Sequence, residues 1–350
     1  MNPNKKQLAN EPNIYPKIKL ASVQAEPVYM DTDKTIDKVC NLVKEASKNG
    51  ANIIAFSESF VPGFPYWCRY VSQAESVHYT KQLLEQAILI PGNETAKLCQ
   101  VARENNIAIV IGVTEKTPNA HGTLYNTNIT IDNNGVIVGR HRKLMPTLGE
   151  KLVWAFGDGE GLLVHSTKFG KIGTLICGEN ANSLARFVLI AEGEQVHVAN
   201  YPAVPKNDPG GYNMSKDIEI RSAAHSFEGK VFTMATSCVI GESTKNFYKD
   251  DETIFKFLES GGNGHTAIYG PLGTVIAGPL DNDIEDIVYA DVNLEDALLT
   301  KLRHDIGGGY NRFDIMRVSV NRTSNQTITS FSDSSNKLQL DREHYDEKNS

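Results

Sequence analysis

The 350-residue chain has no run of apolar residues long enough to cross a bilayer as a helix. Its first seventeen residues are polar, without the apolar stretch of a secretory leader. Cysteine is scarce. Cys40, Cys68, Cys99, Cys177 and Cys238 are scattered, odd in number and never spaced C-x-x-C, which argues against a disulfide framework and a zinc knuckle. Positive charge is also in deficit, with 35 Lys and Arg against 42 Asp and Glu. The broad basic footprint of a nucleic-acid binder is therefore missing. Arg140, Arg142 and Lys143 make a basic run too short to track phosphates. The nine histidines show no H-E-x-x-H or similar ligand spacing, so no metal is expected. No P-loop is present, and Gly157-Asp158-Gly159-Glu160-Gly161 leads into a strand pattern, so it is no dinucleotide fingerprint. These absences point to a cytoplasmic protein that needs no cofactor and engages neither nucleic acid nor membrane.

What is present is a well-patterned globular chain. Hydrophobic residues make up 40% of it and charged residues 22%, enough for a sizeable core. The pattern predicts a strand over 18–24 and a helix over 32–49 with Ile36, Val39, Val43 and Ala46 on one face, stopped by Gly50. A short buried strand over 52–56, helices over 72–89 and 95–105, and a strand over 107–113 follow. Asn133-Asn134-Gly135 marks a hairpin between strands 125–132 and 136–140. Strands are expected over 162–166, 171–176, 196–199, 231–237, 267–277 and 287–292, the fifth broken at Gly270-Pro271. Helices are expected over 184–191 and 212–228, and a last one up to Leu302. Residues 244–263 read as a long loop with a short apolar piece. This mixture predicts an α/β fold of layered sheets with helices outside. One domain over 18–320 is the simplest division, with a polar lead at 1–17 and a polar tail at 321–350.

Three side chains stand where chemistry is possible. Cys177 ends the buried run Lys171–Ile176 and precedes a helix capped by Asn182-Ser183, a strand-to-helix corner suited to a nucleophile. Gly178 would let its N–H approach an oxyanion. The plain alternative for Cys177 is a small core hydrophobe, and Cys40, Cys99 and Cys238 are expected to be just that. Cys68 sits beside an aromatic cluster and could line a pocket. Glu58 follows another buried strand and precedes an aromatic, proline-bearing loop. Desolvation there would raise its pKa toward that of a general base; a surface turn is the alternative. Lys143 is either a charge-stabilising ammonium or part of a solvated basic loop, with Glu150 close behind.

Their order resolves the choice. Glu58 in F-S-E-S-F-V-P-G-F-P-Y-W, Lys143 in H-R-K-L-M-P-T and Cys177 in L-I-C-G-E-N resemble the nitrilase superfamily, whose members use a Glu-Lys-Cys triad in that order. The likeness runs from about residue 18 to 316. H-R-K-L-M-P-T-L-G-E-K-L-V-W-A-F-G-D-G resembles the nitrilase branch, with Glu150 at the family's second glutamate. The chain departs from that branch at Gly178, where a Trp is typical, at Gly308, where a His is often seen, and at Phe313, where Pro is. The resemblance implies a four-layer α-β-β-α sandwich, homodimers or larger spirals, and no cofactor. It also implies hydrolysis of a small nitrile through a thioimidate and a thioester. The alternatives are an amidase using the same triad and an idle member serving in binding or assembly. Phe64, Tyr66, Trp67, Asn180, Tyr201 and Pro202 are candidate pocket residues from their nearness to the motifs.

Overall fold

Alternation along the strands sets the architecture. In β1 (Lys17–Gln24), Ile18 and Leu20 alternate with Ala21 and Val23, and all are buried. A strand apolar on both faces must be covered on both sides. Here a second sheet covers one face and helices cover the other. The computed structural model describes residues 15–324. The expected polar lead and tail lie largely outside the described residues.

The first sheet takes β1, β2 (Ile53–Ala55), β3 (Ala108–Thr117), β4 (Ala120–Ile131) and β5 (Ile137–Arg142). The chain then builds a second sheet from β6 (His165–Thr167), β7 (Gly170–Ile176) and β8 (Val196–Tyr201). Next come β9 (Val204–Pro205), β10 (Phe232–Ser237), β11 (Gly262–Asn263), β12 (Ala267–Tyr269) and β13 (Val275–Ala277). Strands β9 and β11 pair as a separate ribbon, and β14 (Asp286–Asn293) returns to the first sheet. The strand orders are β14-β1-β2-β3-β4-β5 and β13-β12-β10-β8-β7-β6. In each sheet the three central strands, β1-β2-β3 and β10-β8-β7, run parallel.

Helices α1 (Thr32–Lys48), α2 (Trp67–Tyr70), α3 (Gln73–Gln86) and α4 (Asn93–Glu104) precede β3. Of these, α1 and α4 cover the first sheet, placing Ile36, Val39, Val43, Leu98 and Val101 on Ala21, Val23, Ile54 and Ile109. Helices α5 (Ser183–Ala191) and α6 (Met214–Gly229) cover the second. Ala185 and Leu189 meet Leu175, while Met214 and Ile218 meet Ala199 and Ala235. Between the sheets, Leu20, Ile53 and Val110 pack on Ile172, Val198 and Met234. The result is an α-β-β-α sandwich. Among the described residues no helix is long and apolar enough to cross a membrane.

Two expectations need correction. Residues 244–263 are not mainly loop, since they fold into most of α7 (Glu242–Phe247) and all of α8 (Glu252–Leu258). Asp251 caps α8 by accepting from Thr253 N and Ile254 N, and Ile254 and Leu258, one turn apart, are its buried face. Phe255 and Phe257 between them make the segment read as a short apolar run, which hid the periodicity. Strand β6 starts at His165 rather than at 162, because Val164 N turns to the Glu192 carboxylate at 2.9 Å. Cys40 and Cys99 are half-buried at the rim of the outer core. The last helix, α9 (Asp296–Lys301), follows β14 as expected.

Parallel strands β2, β7 and β8 end close to one another, and the segments leaving them carry Glu58, Cys177 and Pro202. Crevices at the carboxyl ends of parallel strands are the usual place for ligands. Gly112 of β3 sets the first of these segments. A Cβ there would lie 2.5 Å from both Ser57 O and Ser59 N, so only glycine lets the turn bearing Glu58 rest on the sheet. Gly112→Ala should lower stability by about 1–3 kcal/mol through overpacking, read by urea denaturation. A wild-type midpoint would show that the turn is not held this way.

Candidate active site

The corner after β7 is a strained turn. Cys177 opens a short 3-10 turn, Cys177–Ala181, with φ +51, a left-handed conformation uncommon for a residue with a Cβ. Asn180 holds this turn. Its Nδ2 donates to the carbonyls of Leu175 and Cys177 at 3.0 and 3.1 Å, one on each side of the corner. Asn182 then caps α5 through Leu184 N and Ala185 N. Cys177 itself is 8% exposed.

Facing it is a buried line of charge. Glu58 Oε1 accepts from Lys143 Nζ at 2.7 Å and from Asn126 Nδ2 at 2.6 Å. Lys143 Nζ also donates to Glu150 Oε2 at 2.6 Å. Asn126 aligns both ends of the first pair, since its carbonyl accepts from Lys143 N at 2.8 Å. Glu150 is fixed by its own turn, accepting from Thr147 N at 2.8 Å. Glu58 and Lys143 are each 1% exposed. Among all these oxygens, Glu58 Oε2 is buried with no partner.

Burial dominates the electrostatics. It pushes Glu58 up, to about 7, against the pull of Lys143 and with a further push from Glu150. Burial alone would lower the Lys143 pKa, but Glu58 and Glu150 overcome it and hold the ammonium well above its ordinary value. The Cys177 thiol is driven well up, first by burial and then by the charge of Glu58, with Lys143 opposing. The corner therefore rests as a neutral thiol beside a carboxylate that titrates near neutrality.

Glu179, passed over as a site residue in the sequence, ties the two halves together. Its Oε1 accepts from Leu144 N at 2.6 Å, next to Lys143. Its Oε2 accepts from Ile176 N at 2.8 Å, next to Cys177, and meets His141 Nε2 at 2.9 Å. Burial raises its pKa, but His141 and the backbone donors outweigh that and lower it overall. His141 is raised because the Glu179 carboxylate outweighs the cost of burial. The readable signal was a Glu three residues beyond a strand end, the reach of a capping box.

The other candidates fall into groups. Phe64, Tyr66 and Trp67 join one aromatic cluster with Trp154, whose ring centroid lies 5.8 Å from that of Phe64 and whose backbone N–H donates to the Glu150 backbone carbonyl at 2.8 Å. Trp67 stacks on Tyr79 at 5.4 Å, and the Tyr66 hydroxyl donates to Ala203 O at 3.1 Å. The half-buried Cys68 packs against the same cluster. Tyr201 packs in the apolar cluster of Cys177, and its carbonyl accepts from Glu58 N at 3.4 Å; Pro202 is buried beside it. Asn180 is no pocket residue, because its side chain is spent on two backbone carbonyls and on His197. A Cβ on Gly178 would meet only Thr147 Oγ1, at 3.1 Å. Sequence reasoning missed Arg221 of α6, whose charge acts on Cys177 and which is anchored by Tyr212 Oη at 2.9 Å and Asp217 at 3.1 Å. It also missed Glu194, His197 and His225, which the fold gathers behind the corner with ligand-type atoms all within 4.8 Å. They come from a loop, β8 and α6, so no linear spacing reveals them.

Residues 19–301 match the carbon–nitrogen hydrolase family. The chain belongs to that family. It is 36% identical over 318 residues to an aliphatic nitrilase of Rhodococcus rhodochrous, covering 89% of this chain and 82% of that one. It is 35% identical over 314 residues to a nitrilase of Bacillus sp. strain OxB-1, covering 90% and 91%. These relatives place it in the nitrilase branch, as a hydrolase of carbon–nitrogen bonds. A Saccharomyces cerevisiae member of branch 10 of the nitrilase superfamily shares the fold, with a TM-score of 0.65 at 18% identity over 82% of this chain and 94% of that one.

The Glu179–His141 pair has a pH signature. The lowered carboxylate stabilises the fold above its unfolded value of about 4.3 and loses this as pH falls through its folded value. The raised imidazole stabilises below about 6.5 and loses this as pH rises through its folded value. Glu179→Gln should cost about 3–5 kcal/mol, most between those limits and less on either side. Urea denaturation across pH checks it; a cost that ignores pH would show that the charge pair does not stabilise the fold.

Proposed function

We propose that this nitrilase-branch enzyme hydrolyses a small nitrile to the carboxylic acid and ammonia, with Cys177 as nucleophile, Glu58 as general base and Lys143 as charge stabiliser. The observation that carries the reading is the unpartnered, buried Glu58 Oε2 on a carboxylate titrating near 7, beside a thiol that rests neutral. The thiol needs a base, and Glu58 is the group tuned to be one.

Glu58 takes the thiol proton as the sulfur attacks the nitrile carbon. A carbon–sulfur bond forms, one π-bond of the triple bond opens, and the nitrogen takes up the proton, giving a thioimidate. Lys143 and the Gly178 N–H stabilise the developing charge. Glu58 then draws a proton from a water that adds to the same carbon; that proton and the one left on the added oxygen pass to the nitrogen, the carbon–nitrogen bond breaks, and ammonia leaves. The resulting thioester is opened by a second water; the acid departs and the sulfur recovers its proton. Glu150 keeps Lys143 charged and aimed by its 2.6 Å bond, a positioning role. Tyr201 and the cluster of Phe64, Tyr66 and Trp67 supply the apolar walls, with Pro202 beside them.

We assign the enzyme to the cytoplasm, on its five scattered cysteines, a usage that fits a reducing compartment. We also propose that it works as a homodimer or larger homo-oligomer. Leu184, Ile220 and Phe227 on the outer helices are 62, 55 and 51% exposed, apolar surface that a second copy would cover. Sedimentation at micromolar concentration should give at least a dimer, and a monomer would remove this part of the reading.

Ammonia release from a panel of nitriles and the matching amides tests the function. Turnover should rise as pH climbs through about 7, because Glu58 must be ionised to accept the proton. Cys177→Ala and Glu58→Gln should each lower kcat by about 1,000-fold or more, since an activated nucleophile fails without its base. Release from amides alone would move the enzyme to amide hydrolysis. Turnover surviving in Cys177→Ala would end the assignment.

A further inference from the structure

Behind the nucleophile corner lies a second buried chain of polar groups that the reaction above does not use. It starts at the Leu175 and Cys177 carbonyls, which accept from Asn180 Nδ2. Asn180 Oδ1 faces His197 Nε2 at 2.9 Å. His197 Nδ1 faces Glu194 Oε2 at 3.1 Å. The other Glu194 oxygen is bonded to His225 Nε2. Both histidines are 0% exposed and Glu194 1%, so bulk water cannot serve these atoms. The strand opposite makes room for them, since a Cβ on Gly173 of β7 would lie 2.1 Å from Glu194 Oε2.

Hydrogens can be counted along this chain. Asn180 must present its oxygen to His197, because the reverse orientation would aim that oxygen at two carbonyls. His197 therefore has to donate from Nε2. Its Nδ1 faces a carboxylate, which only accepts, so that nitrogen must donate as well. The five contacts need five hydrogens. Asn180 supplies two and each neutral imidazole one, which leaves the chain one short. A neutral His197 would set two acceptors face to face in a dry site.

We infer that Glu194 and His197 are positioning residues for Cys177, acting through Asn180, and that this clamp closes only while the cluster holds one proton beyond its neutral imidazoles. The rings of His197 and His225 lie 3.8 Å apart at their centroids, so only one of them carries the extra charge. Burial and the neighbouring His225 push His197 down, to about 4, which by itself would leave its ring neutral. The hydrogen bonds decide otherwise. His225 Nδ1 is buried without a partner, so a second proton there bonds to nothing, whereas both His197 nitrogens face oxygens. Arg186 of α5 also acts on His197, and its own charge is paired with Glu228 of α6 at 3.0 Å. A proton at this point lets the left-handed corner at Cys177 be held from below, without any contact to substrate.

The role in positioning rests on Cys177 being the nucleophile; the proton does not. Histidine-labelled full-length protein should therefore be examined first by 15N NMR at pH 7. One buried ring besides that of His141, whose own pKa is raised, should show both nitrogens protonated, and its signal should vanish in His197→Phe. In Glu194→Gln the amide can donate to Nδ1 and accept from His225, so His197 should turn neutral with its proton on Nε2. In the nitrile assay, His197→Phe should lower kcat by about 100-fold, the cost of a misplaced reacting group, with little change in KM. Glu194→Gln should retain more activity than Glu194→Ala. A neutral His197 in the wild-type protein would overturn the inference. So would a stoichiometric metal ion in the purified protein, or wild-type kcat in His197→Phe.

Discussion

The structure depends on one ammonium buried between two carboxylates. Lys143 bridges Glu58 and Glu150 at 2.7 and 2.6 Å, where almost no water reaches. A lone charge in such a place would be neutralised or expelled. A pair of opposite charges gains little over apolar packing, so stability alone is a poor reason for the arrangement. Its chemical effect is larger. Two acids around one base leave an excess negative charge, and this excess, added to burial, lifts Glu58 toward 7 while Lys143 stays charged. In the proposed mechanism the same group would both tune the base and supply positive charge to the reaction.

The sandwich explains how such a line of charge is held. Glu58 leaves β2, Lys143 follows β5, and Cys177 follows β7, so the residues come from both sheets. Only tight packing of one sheet on the other fixes their separation. The cross-links are specific. Asn128 Nδ2 of β4 reaches Thr174 Oγ1 of β7 at 2.6 Å, and Glu179 joins the Lys143 segment to the Cys177 segment. Gly112 and Gly173 serve the same end by absence, leaving space for the Glu58 turn and for Glu194.

The sequence disclosed what is local or ordered along the chain. Alternation in β1, the Asn133-Asn134-Gly135 hairpin and the strand-to-corner pattern at Cys177 all signal themselves within a few residues. The candidate residues Glu58, Lys143 and Cys177 were legible because a resemblance supplied their order; their individual signals were weak. What stayed hidden is what the fold assembles. Nothing adjacent to Asn126 tells that its side chain meets Glu58, 68 residues away. Nothing near His197 announces His225. Asn180 shows the opposite error: it neighbours Cys177, yet its side chain turns to the backbone. Nearness along the chain set its place but not its direction.

If Cys177 bonds covalently to substrate with Glu58 as its base, the intermediate can be caught. Mass spectrometry of enzyme quenched during turnover of a nitrile would look for it. A substrate-derived mass should appear on the peptide carrying Cys177, and it should be lost in Glu58→Gln. Turnover with no adduct, or with an adduct on Cys68 or Cys238 instead, would contradict this chemistry.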